Sequence, residues 1–310
     1  MQARPLSPGR QGSSAAADCR VCFLITLYKK FDQALRLVRR LRGPHTGFVF
    51  HIDSAVDDAT VARFRAALPE LEEVRFAQRV RSRWATYHGA VAVFRCIDAA
   101  LGMEPFDRYV LISGQDYPIV SRARMNEFFS RHAHTEFIEA GAIDVADKKV
   151  PGASPYYRFS RYHVWLGARR KAIPLLRKKS PPIAIFHGST WWALTHEAIQ
   201  YVADQFRVNH AVRRYFRHAF FVEEAYIPSL MMSSPFAARV ARRTVVHDEW
   251  TPTSGPHPKV LTQADLAVLQ ESPKLFARKF DDEVDAVVMD VLDQWCELDG
   301  RVLAAPVRGS

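Results

Sequence analysis

The chain has 310 residues, enough for one large domain or two small ones with an ample core. Its 48% hydrophobic and 25% charged content is ordinary for a soluble globular protein, and no stretch approaches the ~18 apolar residues of a membrane-spanning helix. Four cysteines are too few for a disulfide scaffold, and the net charge of +10 points to an anionic partner.

Residues 1–18, rich in Pro, Ser, Gly, Ala and Arg, read as a disordered arm, with residues 19–310 as a single domain. Cys19 and Cys22 form a CxxC without a second ligand pair, which suits core packing better than metal. Cys22–Tyr28 is a continuous apolar strand, followed by Phe31, Leu35, Val38 and Leu41 at helical spacing. Gly47–Asp53 is the next strand, then Val61, Phe64 and Leu68 mark a helix, and Val74–Ala77 a weaker strand. A helix over His88–Leu101 leads to a strand over Tyr109–Gly114. Met125–His132 is helical and Glu136–Glu139 extended. Repeated β–α units of this kind predict a mostly parallel sheet flanked by helices, in a nucleotide-binding half over 19–142.

Open sheets of this class bind ligands beyond the carboxyl ends of their strands. Asp53 and Asp116 sit at such ends and are candidate nucleotide or donor contacts; each could instead cap the helix that follows. Residues 143–310 read as an acceptor and catalytic half. From Lys148 to His196 there is no acidic residue, while Arg158, Arg161, Arg169, Arg170 and Lys171 fall there among Tyr156, Tyr157, Phe159, Tyr162 and Trp165. Aromatic faces stack on sugars or bases and Arg pairs with phosphates, so Arg161, Tyr162, Trp191 and Trp192 are candidate acceptor contacts. A solvated basic surface is the plainer alternative. Thr195 is placed to cap a helix from His196 through Tyr201 and Phe206. Strand character is expected over Arg239–Val246, and helices over Asp265–Leu269 and Phe280–Leu298.

Chemistry concentrates in two late segments. Val222-Glu223-Glu224-Ala225-Tyr226 offers a carboxylate pair, and Leu275-Phe276-Ala277-Arg278-Lys279-Phe280 a basic clamp. A carboxylate that deprotonates a hydroxyl, with cations that hold a departing diphosphate, is the equipment of sugar transfer from a nucleotide donor. Either glutamate could be the base, and either could instead be a charge at a helix start. Arg278 and Lys279 are adjacent and diverge in a regular element, so one of them, Lys279 by preference, is expected to face the donor.

In this order, His51-Ile52-Asp53, Trp84-Ala-Thr-Tyr-His-Gly-Ala-Val91, Ser113-Gly-Gln-Asp-Tyr-Pro118, Gly188–Thr195, Glu223-Glu224 and His257-Pro-Lys259 through Phe280 resemble the core-2/I-branching β-1,6-N-acetylglucosaminyltransferase family, which includes the protein O-xylosyltransferases. The resemblance covers roughly residues 20–290. It implies a GT-A-like fold and inverting transfer from a UDP-sugar without a metal cofactor, in keeping with the lack of an Asp-x-Asp at the early strand ends. It further implies Glu224 as base, Lys259 and Lys279 as diphosphate ligands, and Asp53 and Trp84 at the donor. Lys259 stands where animal members carry Arg, and Trp84-Ala85-Thr86 departs from the Trp-Gly-Gly of bacterial relatives. Without the animal enzymes' anchor and disulfide set, the resemblance implies a bacterial, cytoplasmic protein, able to act at the inner membrane face. The donor expected is UDP-GlcNAc ahead of UDP-xylose, and the acceptor a glycan, lipid-linked or protein hydroxyl, with anionic character suggested by the basic segment. The alternative is a non-catalytic glycan- or nucleic-acid-binding protein on a transferase scaffold; nucleic acid is the weaker of those partners. A glycosidase would need a second carboxylate, for which Glu139 is the candidate.

Overall fold

The computed structural model describes residues 19–71, 73–82, 85–143, 155–166, 169–177, 180–252, 254–255 and 257–297. The arm at 1–18, Trp84 and the basic residues Lys148, Lys149, Lys178 and Lys179 lie outside them.

Strands β1 (Val21–Leu27), β2 (Thr46–Ile52), β3 (Glu73–Phe76) and β4 (Arg108–Ser113) alternate with helices α1 (Phe31–Leu41), α2 (Asp58–Ala67) and α3 (Tyr87–Leu101). The first two strands are apolar along nearly their whole length because the sheet is covered on both faces. Phe23, Ile25 and Leu27 of β1 join one core with α1 and α2, while Cys22 and Leu24 join the other with α3. Cys19, Cys22 and Cys96 are buried free thiols, in line with a packing role.

Strand order explains where a ligand can enter. The sheet runs β10-β4-β1-β2-β3, with the first four strands in sequence parallel. The chain moves outward from β1 to β3, then returns to the opposite side of β1 as β4. Crossovers of one hand then put α3 on the face opposite α1 and α2. A crevice opens where the order reverses, at the carboxyl ends of β1 and β4.

The second half completes this frame. Short β5 (Asp116–Pro118) and helix α4 (Arg122–Arg131), capped by Ser121, lead to β6 (Gly141–Ala142). Glu136 and Phe137 form isolated bridges to Val240 and Ala193 in place of a strand. The irregular basic region contains helix α5 (Pro155–Ser160) and an antiparallel pair, β7 (Arg161–Leu166) and β8 (Arg169–Arg177). Its mixed aromatic and basic composition has no clean two-residue period, so the hairpin had no signal in the sequence. After β9 (Phe186–His187), β10 (Trp192–Thr195) runs antiparallel along β4 and closes the sheet edge.

Helix α6 (His196–Val208) starts as expected, with the Thr195 side chain accepting from the Ala198 N–H. Helices α7 (His210–Phe216) and α8 (Tyr226–Met232) follow. The strand expected over Arg239–Val246 is displaced: residues 237–239 form a 3-10 turn, and β11 spans Val246–Asp248. Beyond helix α9 (Leu266–Glu271), β12 (Phe276–Arg278) pairs with both β11 and β5. Helix α10 begins at Val287 and ends at Glu297; the Asp281-Asp282-Glu283 carboxylates that should start it instead surround the Lys30 ammonium.

Candidate active site

A cleft of about 1560 Å³ lies over the carboxyl ends of the parallel strands. Leu27, Tyr28 and Lys29 follow β1 into it, Asp53 follows β2, and Ser113, Gly114 and Gln115 follow β4. Glu223, Glu224, Arg278, Lys279 and Trp191 line the same space.

His51 and Asp53 do more than end a strand. Asp53 accepts the Ala55 N–H on Oδ1 and the Ser82 N–H on Oδ2, both at 2.8 Å. His51 Nε2 accepts the Val80 N–H at 3.1 Å. Burial pushes the His51 pKa down to about 4, which keeps the ring neutral and able to accept. Together they pin residues 80–82, whose Arg81 and Ser82 line the cleft. Helix α2 is capped by Asp57.

Basic side chains line the cleft, and their membership differs from expectation. Lys279 lines the cleft with its pKa pushed down to about 8, first by burial, then by Arg278 and Lys29. Its neighbour Arg278 also lines the cleft, with its guanidinium 4.1 Å from the centre of the Trp191 ring. Behind it, the Asp116 carboxylate accepts from the Ser113 N–H and hydroxyl and lies 3.5 Å from Arg278 Nε. Asp116 is fully buried, with its pKa raised by desolvation against the pull of Arg278. It lies within ion-pair distance of the arginine without a hydrogen bond to it and does not itself line the cleft. Lys259 is outside the lining; its ammonium is 2.5 Å from Asp265 and 3.7 Å from Glu249. Lys29, a strand-end cation that sequence reasoning overlooked, occupies the cleft in its place.

Glu224 ends a 3-10 turn over Val222–Glu224, just before α8. Its Oε2 lies 2.8 Å from His187 Nε2 and 3.3 Å from Arg158 Nη1. Arg158 Nη1 also lies 3.0 Å from His187 Nε2, so the three groups form one cluster in which the Glu224 carboxylate accepts from the arginine and from the Nε2–H tautomer of the histidine. Gly188 bonds the turn from behind through its N–H to the Glu224 carbonyl, at 2.9 Å. A side chain at 188 would start 2.2 Å from the Glu139 carbonyl oxygen, so this approach requires glycine. Neither His187 nor Arg158 had stood out as a site residue, although His187 directly precedes the Gly188–Thr195 motif.

Glu223 behaves differently. Its Oε1 accepts the Ala85 N–H at 3.2 Å, while Oε2 is buried without a partner. Burial, helped by Glu224, pushes its pKa from 4.5 up to about 8. The nearby amino end of α3 favours the anion by about 2 kcal/mol at most, roughly one and a half pKa units, which is less than the rise from 4.5 to about 8, so burial wins.

Three acceptor candidates fall elsewhere. Trp192 is 1% exposed and packs in the core, because β10 turns it into the sheet's covered face. Arg161 lies over the Tyr157 ring at 5.8 Å and Tyr162 faces His218 at 5.8 Å, both away from the lining. Trp191 alone of the four reaches the cleft. Glu139 lines it too, where it accepts the Ser189 N–H at 3.1 Å. Among the described residues, no three His, Cys, Asp or Glu side chains converge as metal ligands.

The profile of the Core-2/I-Branching enzyme family matches residues 21–271. The chain belongs to this family. It is 21% identical to a xylosyltransferase of Ciona intestinalis, over 88% of this chain and 34% of that protein. Xylosyltransferase 2 of Mus musculus is 24% identical over 61% of this chain and 23% of its own length. The beta-glucuronosyltransferase GlcAT14A of Arabidopsis thaliana is 23% identical over 87% of this chain and 63% of its own length. The chain thus spans about a third or less of these xylosyltransferases.

Proposed function

We propose that the protein is an inverting, metal-independent transferase that moves a sugar from a UDP-sugar to an acceptor hydroxyl. The observation that carries this reading is one cleft that holds both an oriented carboxylate, Glu224, and a cation cluster of Lys279, Arg278 and Lys29. In a single displacement the acceptor oxygen attacks the anomeric carbon while the bond to the diphosphate oxygen breaks. His187 and Arg158 occupy Glu224 Oε2, which leaves Oε1 to take the acceptor's proton. The departing diphosphate gains charge, and the cations offset it in a site already shaped for it. Lys279 is well suited to this role, because burial and like charges disfavour its ammonium when the cleft is empty and an arriving dianion restores it.

The donor sugar is GlcNAc or xylose, with the relatives' names giving xylose the stronger support. A glycosidase finds less support, because Glu139 is exposed and engaged with Ser189. Calorimetry with UDP, GDP, CMP, UDP-GlcNAc and UDP-xylose in EDTA tests the reading. UDP-selective binding is expected, and the tighter UDP-sugar names the donor. No uridine preference would move the assignment to a binding protein, and binding only after Mn²⁺ is restored would break the metal-free mechanism.

A further inference from the structure

The turn that carries Glu224 is tied to the segment entering α3 by one backbone hydrogen bond and one side chain. Ala85 and Phe221 both have left-handed backbones, at φ 59° and 56°. Residues other than glycine keep that conformation only where their surroundings impose it. Here each supports the other. The Phe221 N–H donates to the Ala85 carbonyl at 2.9 Å, and the Ala85 N–H donates to Glu223 Oε1 at 3.2 Å. Ala85 is fully buried, so neither backbone group can turn to water instead. The Phe221 ring lies under the Arg158 guanidinium at 4.3 Å, and Arg158 in turn bonds Glu224. Upstream, His51 and Asp53 hold Val80 and Ser82 independently of this contact.

We propose that Glu223 is a positioning residue, whose carboxyl latches Ala85 to the 221–224 turn and thereby sets the Glu224 carboxylate through Phe221 and Arg158. The proposal rests on the reading of Glu224 as base. The latch needs only an oxygen that accepts at Oε1, so an amide can replace the acid and a hydrocarbon cannot.

The dry side of the carboxyl adds a second property. Oε2 has no partner, and a methyl added at Gly89 would come within 3.3 Å of it. A neutral acid tolerates such a pocket, whereas an anion draws toward water. The ionisable groups around it are Glu224 on its own turn, with Arg158 from α5 and His187 from β9 on the far side of Glu224. From α3 and its entry come the uncharged Gly89 and Ala85 and the helix's amino end.

Glu223→Gln and Glu223→Leu in the full chain decide the matter, with kcat, UDP affinity and amide hydrogen exchange measured on each. Glu223→Leu should lower kcat about tenfold or more with UDP affinity within about threefold, a loss of orientation and not of donor binding. Amides of residues 85–89 and 218–226 should exchange faster in that variant. Glu223→Gln should recover most of the kcat that Glu223→Leu loses. Equal damage from both variants, or unchanged exchange in Glu223→Leu, overturns the latch; so does a joint loss of UDP binding, which marks general collapse. A wild-type protein that binds UDP but transfers no sugar counts against the transferase reading, and the exchange data still decide the latch.

Discussion

The donor end of the cleft and the end that bears the base are built in different ways. At the donor end, Lys29, Asp53 and Gln115 sit one or two residues beyond parallel strands, so local sequence and one rule of topology place them. At the base end, Glu224 depends on Arg158 from α5, His187 from β9, Gly188 after it and Ala85 before α3. Each of these comes from a different part of the chain, and none follows from local pattern. The first kind of site is stable against change in any one loop. The second concentrates its precision in a few long-range hydrogen bonds, so single substitutions there should cut catalysis without touching donor affinity.

Glu224→Gln offers the largest break in that contrast. The amide keeps the shape and the bonds from Arg158 or His187 but cannot take a proton. Transfer should fall by about 10² to 10⁴-fold, with UDP affinity changed by no more than a few fold. Calorimetry beside a transfer assay separates the two quantities, and a joint loss would mean that the two ends of the cleft are not independent. Lys279→Ala is the converse test. It should weaken UDP binding about 10- to 100-fold, because one charge to a dianion is removed in a partly desolvated site. For the unaltered protein, UDP affinity should decline as pH rises through about 8, since deprotonation of Lys279 removes that charge.

How far each end was legible in the sequence follows from the same contrast. The β–α alternation, the buried strands, the Thr195 cap and the cleft-facing Asp53 were within reach of periodicity, capping and strand-end reasoning, whereas Lys279 came from the basic motif and the resemblance and Trp191 from aromatic chemistry. Trp192 misled because its neighbour Trp191 is chemically identical, and only the β10 pairing with β4 shows which one is buried. Asp116 was expected to contact the donor, but it is fully buried behind the cleft lining, 3.5 Å from Arg278. The hairpin of β7 and β8 and the roles of Arg158 and His187 had no local signal, since long-range contacts create them. A Lys at the end of β1 did have a signal: the rule that selected Asp53 applies equally to Lys29.

The donor end should also show itself in stability. His51 is 1% exposed and accepts a backbone N–H, so its pKa falls to about 4 from an ordinary 6.5. The unfolded chain takes up a proton below 6.5 that the folded chain refuses until about 4. Stability contributed by the neutral ring is therefore present above pH 6.5 and lost as pH falls toward 4, by about 2 kcal/mol at pH 5. His51→Gln, which can still accept from Val80, should remove that dependence in urea titrations at pH 7 and pH 5. An equal acid loss in both proteins would place the proton elsewhere.

The smallest expected effects are the most informative about what resemblance can and cannot transfer. Position alone along the chain suggests Lys259 as a diphosphate ligand, whereas geometry puts Lys29 in the cleft and engages Lys259 with Asp265 and Glu249. Asp265 also closes the capping box that starts the turn at Gln263, so the Lys259 charge stabilises a loop edge. Lys29 is exposed, and its attraction for the diphosphate is screened; Lys29→Ala should weaken UDP binding only about three- to tenfold, less at high salt. Lys259→Ala should leave UDP affinity within about twofold at any salt concentration. If instead Lys259→Ala costs more than Lys29→Ala, the loop at 249–265 must swing its lysine into the cleft when the donor binds, and the two ends of the site would then be joined by a movement that breaks the Asp265 pair.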